Sequence, residues 1–230
     1  VTASAADLSE RLDVSLRTIN SISRAPAAVL AVITGTETAI ACHGDPTLGA
    51  DTVFELGSIT KTFTALLLAE MVTRGEVSYD DPITAYLPPH AHPRRVLDTP
   101  VTLLHLATHT AGFPRLPANL YRRALPTWGT NPYARYHLDD LYQATARTRL
   151  RHPPGTRVHY SNLGIGLLGQ LLANAANSDY PDLVLHRVCR SLGMTNTLTE
   201  PGPCCATGYR RGRPMPAWKM GALAAAGTLR

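Results

Sequence analysis

The sequence predicts a chain of the broad α/β class, more narrowly α+β, in which helix dominates. Two segments, 59–72 and 163–176, are long, apolar and rich in helix formers, as buried helices are. Residues 27–34 and 37–42, on either side of Gly35 and Thr36, read as the two strands of a hairpin. No other segment carries a clear strand pattern.

In chain order, residues 3–22 are expected to form an N-terminal helix, followed by the hairpin. Val53-Phe54-Glu55-Leu56 is a short apolar run ending at Gly57. The helix from Ile59 to Val72, with Phe63, Leu66, Leu67, Leu68 and Met71, is expected to be buried nearly all round. Arg74 supplies a last-turn cation and Gly75 a stop. Thr102 to His109 reads as a short helix closed by Gly112 and Pro114. Residues 114–137, rich in proline and aromatic side chains, suggest an ordered loop region lining a cleft. Leu138 to Leu150 is predicted helical, capped from His137 or favoured by Asp139 and Asp140 in its first turn. Pro154-Gly155 makes a turn, Thr156 to Tyr160 a short extended piece, and the apolar helix from Leu163 to about Ala176 follows. Pro181 to Ser191 is a further helix. Beyond Pro201 the chain reads as largely irregular, and residues 1–230 read as one domain.

Composition narrows the class. Hydrophobic content of 44% and charged content of 17% are globular values. No apolar run reaches about eighteen residues, so no membrane span is predicted. Val1 to Leu12 has no basic-plus-apolar signal pattern, which favours a cytoplasmic protein while leaving a secreted one open. The formal charge of +5 comes from dispersed arginines with few interleaved aromatics, so no nucleic-acid partner is expected. Cys42, Cys189, Cys204 and Cys205 have neither zinc spacing nor the pattern of a disulfide framework.

The chemistry centres on a lysine. Only Lys61 and Lys219 are lysine; the other twenty basic residues are arginine. Lysine can release its proton when desolvated and act as a base, whereas arginine stays charged. Ser58 stands three residues before Lys61, a spacing that puts both on one face of a helix. A hydroxyl nucleophile would then lie beside a group able to take its proton. The plainer alternative is a capping serine with a snorkelling lysine. A second candidate set is Tyr160-Ser161-Asn162, at a junction where a phenol, a hydroxyl and an amide can point together into a cleft. Here the alternative is an N-cap from Ser161 or Asn162 with Tyr160 in the core.

Three other patterns are decoys. His105 and His109 have metal-ligand spacing, but Leu106 stands where a zinc-protease helix has glutamate. His90 and His92 have no accompanying carboxylate or thiol set, so no metal is expected. Gly164-Ile165-Gly166-Leu167-Leu168-Gly169 matches a dinucleotide-binding pattern without a second strand to close the unit, and its glycines are better read as permitting close helix packing.

Taken together the segments resemble the serine β-lactamase and penicillin-binding superfamily, above all its class C β-lactamase-like serine hydrolases. Ser58-Ile59-Thr60-Lys61 is similar to the S-x-x-K motif and Tyr160-Ser161-Asn162 to Y-x-N. Pro26 to Val32 looks like the family's first strand, and Gly75 to Pro82 like the segment after its nucleophile helix. Leu104 to Pro114 is similar to L-L-T-H-T-S-G-L-P, and Leu192 to Thr197 to L-G-M-x-x-T. The resemblance implies a helical subdomain plus an antiparallel sheet with helices, the sheet incomplete in this chain.

It also implies a Ser58 acyl-enzyme formed on an ester, amide or β-lactam carbonyl, without cofactor or metal. Lys61 would assist proton removal and Tyr160 would be the base. Asn162 would donate a hydrogen bond to the substrate's amide or ester side chain, and the Ser58 N–H would form half of an oxyanion hole. The family's third motif, K-T-G or H-x-G, has no counterpart; Lys219-Met220-Gly221 lacks its middle hydroxyl residue. The chain therefore reads as truncated at its C-terminal side. The rival reading is a non-catalytic family member, or an inert fragment with a binding role. The resemblance leaves the substrate and the oligomeric state open.

Overall fold

The computed structural model describes residues 5–23, 26–35, 37–93 and 99–230. They divide into two compact units, Val1–Phe54 with Gly202–Pro216, and Glu55–Pro201 with Ala217–Arg230.

In the first unit, helix α1 (Ala5–Ser23) packs on the antiparallel hairpin of β1 (Ala28–Thr34) and β2 (Glu37–His43). The register runs from Thr34 opposite Glu37 to Ala28 opposite His43. Gly35 takes φ +60°, the left-handed conformation that a tight hairpin turn requires. Thr36 lies outside the described residues. Leu12 and Leu16, four apart on one helix face, form a small core with Ala41, against Leu30, Val32 and Ala39. The last four come from alternate positions of the two strands, as a half-buried hairpin dictates.

This unit also corrects the expectation of irregular chain beyond Pro201. β3 (Gly208–Arg210) pairs antiparallel with β4 (Arg213–Met215) around Arg211 and Gly212, whose φ angles are +52° and +75°. Two successive left-handed residues make the mirror-image turn that matches strand twist. The strands are three residues each and carry arginines and a proline, so no hydrophobic alternation announces them.

The second unit is helical: α2 (Thr60–Thr73), α3 (Leu103–Ala107), α4 (Leu120–Ala124), α5 (Leu138–Arg147), α6 (Asn162–Ala176) and α7 (Tyr180–Val184). Its core gathers round α6, where Leu163, Ile165, Leu167, Leu168, Leu171 and Leu172 are all buried. α2 contributes Leu67, Leu68 and Met71. It is not buried nearly all round, for Ile59 just before it and Leu66 on it are 57% and 46% exposed.

Several boundaries differ from expectation, each where a side chain or loop competes with the helix. α3 starts after Thr102, whose hydroxyl accepts from the His105 N–H while the Thr102 N–H donates to His105 Nδ1. His105 is thus a capping residue, and His109, at φ +60°, has left the helix. The metal-like pair is therefore not one helix face. α5 ends at Arg147 rather than Leu150. The Thr148 hydroxyl turns back to the Ala144 carbonyl, and the Arg151 N–H is drawn to the Gly112 carbonyl. Thr156 to Tyr160 forms no strand: Thr156 is at a bend and the rest is irregular, held by the His159 N–H donating to the His109 carbonyl. Residues 114–137 contain α4, whose Leu120 and Ala124 reach the core. The segment predicted helical over 181–191 is α7 followed by a π turn, Leu185–Cys189, and a 3₁₀ turn, Arg190–Leu192. The π turn carries Arg187, which grips Glu76 with both terminal nitrogens at 2.7 and 2.6 Å.

The glycines of the decoy pattern make a packing groove. A Cβ on Gly166 would lie 2.4 Å from Leu223 Cδ2, and one on Gly169 only 2.2 Å from Ala225 Cβ and 2.9 Å from Tyr180. The 3₁₀ segment Gly221–Ala226 lies in this groove against α6. Gly169→Ala is expected to destabilise the protein by about 1–3 kcal/mol through overpacking. Chemical denaturation checks it: an unchanged midpoint would mean that the segment yields freely. Among the described residues no helix is long and apolar enough to cross a membrane.

Candidate active site

Gly57 opens the site. At φ +51° it turns the chain into a 3₁₀ turn, Gly57–Ile59, that runs into α2. Ser58 is exposed on that turn, whereas Lys61, on the first turn of α2, is only 7% exposed. The Lys61 Nζ donates to Ser58 Oγ at 3.1 Å and to the Ala226 carbonyl at 2.6 Å. The Ser58 hydroxyl also meets the Tyr160 hydroxyl at 2.7 Å. Three predicted residues therefore converge on one oxygen. Because Ser58 stands at a helix start, its N–H belongs to the set that lacks intrahelical acceptors and can bind an anionic oxygen.

The segment that holds Lys61 is itself anchored. The Thr64 hydroxyl donates to the Ala225 carbonyl at 2.8 Å and shares a 2.7 Å hydrogen bond with the Tyr180 hydroxyl. The Leu56 N–H donates to the Leu229 carbonyl, and the Leu229 N–H to the Thr60 hydroxyl. Residues 225–229 thus brace the nucleophile turn.

Tyr160 is placed by the start of α6. Ser161 is the N-cap: its hydroxyl accepts from the Gly164 N–H and donates to the Pro114 carbonyl at 2.7 Å. The capping alternative is therefore realised at Ser161, and it directs Tyr160 to Ser58 instead of the core. The Ser161 N–H donates to His109 Nδ1, and the His109 ring lies 4.7 Å from that of Tyr160. Burial, reinforced by the charge of Lys61 and by His159, pushes the His109 imidazole below its ordinary value. A neutral His109 accepting at Nδ1 carries its proton on Nε2.

Burial alone would raise the Tyr160 phenol. Hydrogen bonding by Lys61 and Ser58, with the charges of Lys61 and Arg115, outweighs it and holds the phenol below its ordinary value. The Lys61 Nζ is 4.9 Å and the Arg115 Cζ 5.4 Å from the ring centroid.

Asn162 stands apart from this cluster. Its N–H donates to the Arg115 carbonyl, its side-chain amide faces the Tyr133 hydroxyl, and its Oδ1 is buried without a hydrogen-bond partner. It makes no hydrogen bond to Ser58, Lys61 or Tyr160 among the described residues. Lys219, the other lysine, has an exposed ammonium 3.6 Å from an equally exposed Glu200 carboxylate. Gly221 beside it is fixed by packing, for a Cβ there would lie 2.4 Å from the Tyr136 carbonyl. That segment forms a surface ion pair and a packed turn, not a substitute third motif. Arg115 and the Ala226 carbonyl lie in this cluster without having been singled out from the sequence, and His109 had been singled out only as half of a metal-like pair.

The Beta-lactamase family model matches residues 16–228. The chain belongs to the beta-lactamase family. Among its relatives is AmpH of Escherichia coli K12, a D-alanyl-D-alanine-carboxypeptidase/endopeptidase. The two are 32% identical over 188 residues, which is 79% of this chain and 47% of AmpH. A beta-lactamase of the same organism is 32% identical over 166 residues, 70% of this chain and 40% of that protein. The crystal structure of a beta-lactamase/D-alanine carboxypeptidase from Yersinia pestis, complexed with citrate, has a TM-score of 0.78. It is 28% identical, and the match covers 98% of this chain and 65% of that one. The D-alanine carboxypeptidase AmpC of Burkholderia cenocepacia gives 0.76 at 28% identity, covering 98% and 61%. This beta-lactamase-family chain has the β-lactamase/transpeptidase-like fold, and its matches span 28–47% of the length of these curated relatives.

Proposed function

We propose that the protein is a serine hydrolase that forms an acyl-enzyme at Ser58 on an ester, amide or β-lactam carbonyl. The observation that carries this reading is the convergence of Lys61 and Tyr160 on Ser58 Oγ, at 3.1 and 2.7 Å. Both are within the reach expected of a proton acceptor. Its relatives are named as carboxypeptidases and beta-lactamases, which fits the same chemistry.

Tyr160, as phenolate, takes the Ser58 proton while Oγ bonds to the carbonyl carbon. The carbonyl oxygen becomes the oxyanion, facing the Ser58 N–H at the helix start. Collapse expels the leaving group, which receives that proton from Tyr160. A water then replaces it, gives a proton to Tyr160 and attacks the ester carbon; Ser58 Oγ leaves and recovers the proton. Lys61 remains hydrogen-bonded to Ser58 and to Ala226 throughout, steadying the charge that moves between Oγ and the phenol.

Labelling with a fluorescent penicillin and a fluorophosphonate, followed by mass spectrometry, tests the assignment. Ser58 should carry the adduct, and Ser58→Ala should abolish it. An adduct on Ser161 would contradict the reading, as would label retained in Ser58→Ala. Ser161 is only 3% exposed and has both its hydrogen bonds engaged.

A further inference from the structure

Arg115 is exposed in the segment between α3 and α4, and makes no ion pair among the described residues. Its main chain is committed to the site, because its carbonyl accepts the N–H groups of Asn162 and Leu163 at the start of α6. The preceding Pro114 carbonyl accepts the hydroxyl of the cap, Ser161. The helix that presents Tyr160 is thus fastened to the backbone from which Arg115 projects. The guanidinium then lies 5.4 Å from the Tyr160 ring centroid, a cation–π distance. Its charge acts on the Tyr160 phenol and also on that of Tyr133, but its guanidinium faces the Tyr160 ring.

We propose that Arg115 is a positioning residue for Tyr160, supplying beside Lys61 the second positive charge that keeps the phenol usable as a base. This rests on the proposed role of Tyr160. The groups that face the ring account for the assignment. Ser58 and Lys61 approach from the nucleophile turn and α2, His109 from behind α3, and Tyr133 from the loop before α5. His159 lies beside His109. His109 is held toward its neutral form and Tyr133 is a buried phenol pushed upward, so neither provides positive charge. Lys219 is engaged with Glu200. Lys61 and Arg115 are then the two cations facing Tyr160 among the described residues. The same direction appears in the phenol itself, held below its ordinary value although burial opposes that.

A nearby cation favours the phenolate. Removing it raises the pH at which the base form appears, and slows reaction only below that pH. Fluorophosphonate labelling of Ser58 is followed against pH in the wild type, Arg115→Gln and Arg115→Lys. In Arg115→Gln the rising limb should move by about one pH unit to the alkaline side, so labelling is about tenfold slower below the midpoint and equal above it. Arg115→Lys should restore most of the difference. An unmoved midpoint in Arg115→Gln overturns the proposal. So does an Arg115→Lys profile as displaced as that of the glutamine variant, since the planar head rather than the charge would then be at work.

A second measurement needs no turnover. The ultraviolet phenolate absorbance, taken as the difference from a Tyr160→Phe background, should show the same displacement. If the wild type is never labelled yet the absorbance shifts with Arg115, the hydrolase reading fails and the role of Arg115 stands. If the absorbance does not shift, the role of Arg115 is refuted whatever the labelling shows.

Discussion

Replacing Lys61 by arginine is expected to slow acylation of Ser58 by about 10²–10³-fold, the scale for losing a positioned donor that steadies developing charge. The substitution preserves charge, so it separates two roles. The lysine sits almost out of water and its ammonium divides its donors between Ser58 Oγ and the Ala226 carbonyl. A guanidinium keeps the charge, but its planar fork cannot reproduce that compact tetrahedral bridge. Single-turnover acylation with an ester substrate gives the rate, and thermal melting shows whether the larger head disturbs the buried slot. Lys61→Met keeps the length of the chain without the charge and should be equally slow. Wild-type acylation in the arginine variant would reduce Lys61 to a source of charge.

Tyr160→Phe is expected to impair deacylation at least as much as acylation, by about 10²–10⁴-fold in steady-state turnover. The Tyr160 hydroxyl meets the Ser58 hydroxyl and lies within reach of Lys61, while the ring rests among His109, Lys61 and Arg115. Phenylalanine keeps the ring contacts, so melting should barely change. The wild type should speed up as pH rises through the depressed phenol titration, and the variant should lose that limb. Burst amplitude and steady-state rate, measured separately, distinguish the two half-reactions. Unchanged turnover would leave Tyr160 a packing residue.

What the chain announces about itself follows from how local each signal is. Ser58 and Lys61 share one turn, so a three-residue spacing and the scarcity of lysine were enough to pair them. The β1–β2 hairpin and α6 were legible because each repeats a simple pattern over many residues. Tyr160 and Asn162 became candidates mainly through resemblance, since a phenol before a helix has a plain structural reading. Arg115 was invisible: it is one arginine among twenty, and its meaning depends on a ring 45 positions away in the chain. The Ala226 carbonyl is a backbone group in an alanine run, with no side chain to mark it. The β3–β4 hairpin was missed because its strands are too short for periodicity, although Arg211-Gly212 is a plausible mirror-image turn. The overlong α5 shows the opposite error: helix-compatible residues ran on to Leu150, but the Thr148 hydroxyl and the pairing of Arg151 with Gly112 ended the helix first.

The hydrogen bond from Lys61 to Ala226 spans 165 positions of sequence, and that from Ser58 to Tyr160 spans 102. Such closures come late, because a long loop must lose its freedom before any contact rewards it. During synthesis from the N-terminus, α2 leaves the ribosome long before its partners exist. A nascent chain therefore carries Ser58 as an ordinary alcohol, with no phenol to take its proton. On the mechanism proposed above, Ser58 gains its base only once α6 has been made and has brought Tyr160 to it, so a half-made chain would offer an electrophile only an unactivated alcohol.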